Sequence, residues 1–197
     1  MILLAGFSTT ATAQSHEMQI NLGYSYALPM GSFKDQLSKG SGRGFQASIL
    51  YGITDKIYVG FGTGFQDFYQ KNPRQIYKSQ DGSDISAVLT HSIQTIPLMA
   101  QGKYLFNETG IIQPYAALGI GGNFVMFNEL LGEFGDTKTK FGFAARPEAG
   151  IHIPFRKNGE TGINIGAAYN IMPYKNSNFS NLNNLALSAG IKFLLRR

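Results

Sequence analysis

The chain has 197 residues, a length suited to one domain. Hydrophobic residues make up 43% of it, yet no run approaches the ~18 apolar residues of a transmembrane helix. Charged residues are only 15%, low beside the roughly 25% of ordinary soluble domains, and the lack of Cys excludes a disulfide framework and a thiolate metal site.

The net charge is +5. Lys and Arg stand singly in turns and loops, with no basic stripe interleaved with stacking aromatics, so nucleic acid is not an expected partner. Contact with acidic lipopolysaccharide or another polyanion stays open. The 24 Gly, 15 Phe and 10 Tyr make a composition that favours strands.

Residues 1 to 14 read as a signal-peptide remnant. Ile2 to Phe7 form a short apolar core, and Ala11-Thr12-Ala13 is an A-x-A cleavage site. The rest, 15 to 197, reads as one domain.

The first strand is expected over 18 to 28, where Ile20, Leu22, Tyr24, Tyr26 and Leu28 alternate with Gln19, Asn21, Gly23, Ser25 and Ala27. A polar loop follows from Pro29 to Gly42. Residues 45 to 69 then form an antiparallel hairpin around the polar turn Thr54-Asp55-Lys56. Its odd positions are mostly large and apolar, its even positions small or polar, with Leu50 and Tyr58 as exceptions. Residues 70 to 91 read as a long polar loop.

The fourth strand is expected from Ser92 to Phe106, and Pro97 inside it demands a missing ladder bond or a bulge. A tight turn, Asn107 to Gly110, leads to a fifth strand over 111 to 127. A third loop covers about 128 to 139. The sixth strand, 140 to 155, places Phe141, Phe143, Ile151 and Ile153 opposite Arg146, Glu148 and His152. Asn158-Gly159 marks the next hairpin. The seventh strand spans 161 to 171, an Asn/Ser-rich loop spans 172 to 183, and the last strand alternates Leu185, Leu187, Ala189, Ile191 and Phe193 with Asn184, Ser188 and Lys192.

The connections alternate long and short, and each strand has one apolar and one polar face. The fold class predicted is all-β: an eight-stranded antiparallel up-and-down transmembrane β-barrel, apolar outside and polar inside, with short periplasmic turns and long external loops. Closure would satisfy every ladder group, as lipid demands. A soluble lipocalin-like barrel would carry its faces the other way round.

Several stretches resemble a known family. They are Pro29-Met30-Gly31-Ser32-Phe33-Lys34-Asp35, Tyr51-Gly52-Ile53-Thr54-Asp55-Lys56, Ile96-Pro97-Leu98, Lys103-Tyr104-Leu105-Phe106, and Gln113-Pro114-Tyr115 with Gly119-Ile120-Gly121. Over about 18 to 195 the chain is similar to the small outer-membrane barrels of OmpA/OmpX-like, porin-like architecture. More narrowly it looks like the outer membrane protein beta-barrel domain group common in Bacteroidetes. The resemblance implies the outer membrane of a Gram-negative bacterium. It implies as partners membrane lipid and lipopolysaccharide, the barrel-assembly machinery and an extracellular ligand met by the loops. It implies a monomer.

The strongest constellation is internal charge: Lys103, Arg146, Glu148, His152 and Lys192 all have lumen parity. A barrel of this size is just filled by its side chains, so these groups should pair into a plug, with inner Gln, Asn and Tyr sharing the load. The alternative is a narrow path for small solutes or protons. The external-loop binding candidates are Lys34, Arg43, Lys71, Arg74, Lys78, Asp81, Asp84, Glu129 and Glu133.

Other motifs carry little. Gly60-x-Gly62-x-Gly64 and Gly119-x-Gly121-Gly122 lack the strand-to-helix setting of a phosphate loop, and read as small residues making room for a Tyr or Arg. Asp81-Gly82-Ser83-Asp84 lacks the spacing of a calcium loop, so no metal is expected. A lipid-modifying barrel enzyme should show His-x-Ser, but His91 precedes Ser92-Ile93 and His152 precedes Ile153-Pro154. No catalytic residue or cofactor is predicted. The expected function is a non-enzymatic barrel with a structural, adhesion or binding role.

Overall fold

A computed structural model describes residues 17–71, 75–78, 84–87, 89–131, 134–156, 161–174 and 181–196. The leader predicted over 1–14 lies outside them. The strands are β1 (Glu17–Pro29), β2 (Ser41–Gly52), β3 (Ile57–Lys71), β4 (Gln75–Lys78), β5 (Asp84–Ala87), β6 (Leu89–Leu105), β7 (Gln113–Leu131), β8 (Phe134–Pro154), β9 (Gly162–Asn170) and β10 (Asn184–Arg196). One short helix, α1 (Ser32–Gln36), lies between β1 and β2.

Eight of these strands close into an antiparallel barrel in the order β1-β10-β9-β8-β7-β6-β3-β2. The seam is the β1–β10 pair, in register from Glu17↔Arg196 to Pro29↔Asn184. Closure leaves no open edge, as predicted. β4 and β5 form a separate hairpin within the connection from β3 to β6.

Period two explains the two faces. On the outside, Phe61 is 76% exposed and Phe141 68%, within a band that includes Leu22, Phe45, Ile49, Leu98, Ile120 and Phe143. So large an apolar belt has no stable place in water and suits lipid. Cross-strand aromatics tie it together: Phe45 stacks on Phe65 at 6.0 Å, and Phe124 meets Phe141 at 4.9 Å.

Pro97 behaves as predicted. The β3–β6 ladder runs to Thr63↔Leu98 and resumes at Gln66↔Thr95, while β6–β7 stays paired through Pro97↔Asn123. The missing N–H therefore falls on the β3 side, where Thr63 Oγ1 donates to the Pro97 carbonyl at 2.9 Å.

The external ends differ from the expectation. The stretches 70 to 91 and 128 to 139 are not plain loops: β3 runs to Lys71, β6 begins at Leu89, and β7 and β8 pair out to Leu131↔Phe134. β8 has 21 residues, well beyond the ~9–11 needed to cross a bilayer. Thr90, Leu130, Phe134, Thr137 and Thr139 favour strands, so the hairpin continues past the membrane. Reading polarity as a sign of loop placed these boundaries too early.

Candidate functional site

The lumen is built in layers. At the periplasmic, short-turn end, Leu50, Tyr58, Leu105, Tyr115 and Ala117 form one apolar cluster. At the external end a larger cluster joins Phe68, Ile93 and Val125 from the strands to Phe33 on α1, Leu37 just after it, and Met172, Tyr174 and Leu182 from the β9–β10 connection. Phe33 meets Phe68 edge-on at 4.8 Å. The lumen is polar and hydrogen-bonded, as expected, with Leu50 and Tyr58 the exceptions already visible in the alternation, and its external mouth is closed by an apolar cluster supplied partly by chain folding inward.

The predicted charges lie at and around the level of the short-turn cluster: Lys103 is paired with Tyr58, and His152 with Gln113 and Asn164. Lys103, Arg146, His152 and Lys192 are buried, with His152 fully so, and the Glu148 side chain is 8% exposed. Arg146 Nη2 lies 3.3 Å from Glu148 Oε2 and also donates to Gln46 Oε1. Tyr115 donates its hydroxyl to Glu148 Oε1 at 2.8 Å, and Lys103 Nζ sits over the Tyr115 ring at 4.1 Å. His152 Nδ1 lies 2.8 Å from Asn164 Oδ1, and Asn164 donates in turn to Asn21 Oδ1 at 2.7 Å. Lys192 is within electrostatic reach of both Lys103 and His152.

The structure thus brings Lys103, Arg146 and Glu148 together, with His152 and Lys192 alongside. Gln46, Tyr115 and Asn164 were expected only as residues of the inner face, not as the partners of these charges. Alternation gave their face, but Gln46 is 100 residues from Arg146, so only the barrel's closure brings it there.

Glycines make room for this group. A Cβ at Gly150 would lie 2.6 Å from the Tyr115 ring, and one at Gly166 would lie 2.8 Å from its hydroxyl. The glycines singled out in the sequence serve other neighbours: Gly62 faces Gln101, Gly119 faces Met99, and Gly60 lets the β2 backbone approach. None of these three accommodates a Tyr or Arg.

The external candidates scatter. Lys34 is exposed on α1, not in an irregular loop. Arg43 lies on β2, 62% exposed, 3.3 Å from Asp67 Oδ2 and 4.7 Å from the centre of the Tyr69 ring. Asp67 also accepts from Ser92 Oγ at 2.8 Å. Lys71, Lys78, Asp84 and Glu129 lie on β3, β4, β5 and β7, and their side chains are outside the described set. Arg74, Asp81 and Glu133 lie outside the described residues altogether. Just inside the mouth, burial holds the Tyr174 phenol above its ordinary pKa, and Lys140 Nζ lies 5.3 Å from that ring. Among the described residues no three His, Cys, Asp or Glu side chains gather as a metal site.

An apolar belt around a closed antiparallel barrel, with a hydrogen-bonded polar layer inside, defines a small transmembrane β-barrel of the outer-membrane type. The family described as "Outer membrane protein beta-barrel domain" matches residues 1–193, and the chain belongs to that family. Its place is the outer membrane of a Gram-negative bacterium. A search of curated proteins by sequence finds no match.

Solved structures share the fold. OprG from Pseudomonas aeruginosa superposes with a TM-score of 0.57 at 14% identity, covering 93% of this chain and 98% of that one. Neisserial surface protein A gives 0.54 at 15% identity, covering 91% and 96%. Ail, the attachment invasion locus protein of Yersinia pestis, gives 0.51 at 19% identity, covering 91% and 100%, in a complex with the heparin analogue sucrose octasulfate. At these identities the likeness establishes the fold.

Proposed function

We propose that this protein is a non-enzymatic surface barrel that binds or adheres through its external rim, while the lumen serves as a structural plug. The observation that carries this reading is the inward packing of the rim itself. Phe33 on α1, Leu37 just after it, and Met172, Tyr174 and Leu182 from the β9–β10 connection fill the external mouth. Segments held this way present a defined surface outward instead of framing an open pore.

That surface has a modest basic excess on one side, where six Lys and Arg stand against Asp35, Asp67, Asp81 and Asp84. Lys34, Lys39 and Arg43 follow one another at the β1–β2 end, and Lys71, Arg74 and Lys78 follow in the next connection. Glu129, Glu133 and Asp136 belong to the β7–β8 end, on a different part of the barrel wall. A polyanion is the ligand class that the basic side would favour. The Ail complex with a heparin analogue supports the idea that a barrel of this fold can carry such a ligand. Lipopolysaccharide phosphates offer the same chemistry in the membrane. We read the protein as a monomer that reaches the membrane through the barrel-assembly machinery after losing its leader. Sequencing of the mature N-terminus should begin at Gln14 or Ser15.

The test is retention of the folded protein on immobilised heparin at low salt. A Lys34→Ala/Arg43→Ala double variant should elute at lower salt than the wild type. A wild type that flows straight through would overturn the polyanion reading.

A further inference from the structure

Two buried polar atoms of opposite character stand close to the Arg146–Glu148 pair. Arg146 Nε is a donor with no acceptor among the described residues, and Asn170 Oδ1 is an acceptor with no donor among them. Arg146 is 7% exposed and Asn170 6%. The two residues are cross-strand neighbours. β8 and β9 pair at Glu148↔Ala168, and Ala145↔Ile171 keeps the same register, so Asn170 stands directly across from Arg146 on the inner face. Such a pair has its Cβ atoms about 4.5–5.5 Å apart.

Both residues line one small cavity of about 20 Å³. Ser25, Gln66, Thr95 and Asn184 line it too, and Glu148 does not border it. A water needs roughly 10–15 Å³ measured this way, so there is room for one. The chemistry selects the same occupant. It must accept from a guanidinium N–H and donate to an amide oxygen at once. An anion can do only the first, and a cation can serve only the second. The Arg146 charge is already met by Glu148, so no counter-ion is called for. Leaving either atom bare in the interior would be costly. The Ser25 and Thr95 hydroxyls around the same cavity can bring the water to the usual two to four bonds.

We propose that one structural water occupies this cavity, accepting from Arg146 Nε and donating to Asn170 Oδ1. It carries the hydrogen bonding of the plug outward. Asn170 Nδ2 donates to Asn184 Oδ1 at 2.7 Å, and Asn184 Nδ2 donates to the Leu182 carbonyl at 3.1 Å. Leu182 belongs to the apolar packing of the external mouth. A chain of bonds then runs from Glu148 through Arg146 and the water to the connection that closes the barrel. The site rests on the lumen being a packed plug, which conductance tests separately, and a failure of heparin binding would leave it untouched.

The full chain is crystallised from sodium bromide, so that an ion and a water can be told apart by anomalous scattering. One density peak is expected within hydrogen-bond distance of both Arg146 Nε and Asn170 Oδ1, with no anomalous signal. In parallel, the Arg146 Nε–H in NMR spectra should show a cross-peak to water, of the sign that marks a long-lived buried molecule. Asn170→Leu removes the acceptor and should remove both the density and the cross-peak. If that variant fails to fold, the wild-type density and cross-peak decide alone. A dry cavity, a direct Arg146–Asn170 bond in place of the water, an anomalous peak at the site, or a water unchanged in Asn170→Leu would each overturn the proposal.

Discussion

At the scale of single residues, the arrangement around Glu148 makes the sharpest predictions. The Arg146–Glu148 pair is buried, and the Tyr115 hydroxyl holds the carboxylate's other oxygen. Removing one partner of a buried pair strands the other charge, at a cost of about 3–5 kcal/mol. Glu148→Ala should therefore lower stability by roughly that amount, and Glu148→Gln by less, since the amide oxygen can still accept from Tyr115. Tyr115→Phe should cost about 1.5–3 kcal/mol, the range for a hydrogen bond to a charged group. The chain has no Trp, so the readout is the folded fraction on unboiled gels across a urea series. Alternation alone placed Lys103, Arg146, Glu148, His152 and Lys192 inside the barrel, because parity is a local property of a strand. It could not show who pairs with whom, because pairing depends on the height of each residue around a closed wall. The Arg146–Gln46 contact is such a case.

At the scale of elements, the eight barrel strands were legible and their external ends were not. A strand in lipid must hide its backbone and alternate its faces, and that leaves a clear pattern in the sequence. Beyond the membrane the same ladder continues in water, where either face can be polar. The pattern fades there, and the β7–β8 extension and the β4–β5 hairpin could not be read from it. The small helix α1 was also invisible, since five residues hold too few turns to show a period. What fixes it is tertiary: Phe33 and Leu37 are buried against Phe68 and its neighbours. Phe33→Ala should therefore free this connection without opening the barrel. Lys34 and Lys39 then become trypsin sites. In outer-membrane vesicles the wild type should resist cleavage there. The variant should be cut, while its barrel still shows the folded mobility. Equal resistance in both would show that the anchor lies elsewhere.

At the scale of the whole molecule, closure and plugging determine behaviour together. The β1–β10 seam completes a continuous ring of ladder bonds, so the native barrel should resist detergent until it is heated. Boiled and unboiled samples of the outer-membrane fraction should migrate differently on a gel. A single heat-indifferent band would contradict a closed membrane barrel. The same architecture bears on conduction. An ion entering from outside meets the packed side chains of Phe33, Phe68, Ile93 and Leu182. One entering from the periplasm meets Gln19, Gln113, His152 and Lys192 as well as Leu50, Tyr58 and Leu105. The apolar packing of the external mouth imposes a desolvation barrier that the charges below it do not relieve. Planar bilayers containing the wild type should show no steady conductance. Substitutions within the plug, such as Arg146→Ala, should leave them silent, because the external mouth still closes the path. Conductance should emerge only when that external cluster is cut back, as in Phe33→Ala combined with Leu182→Ala. A wild type that conducts, with current abolished or reshaped by Arg146→Ala, would make the charged layer part of a path and the external apolar cluster its gate.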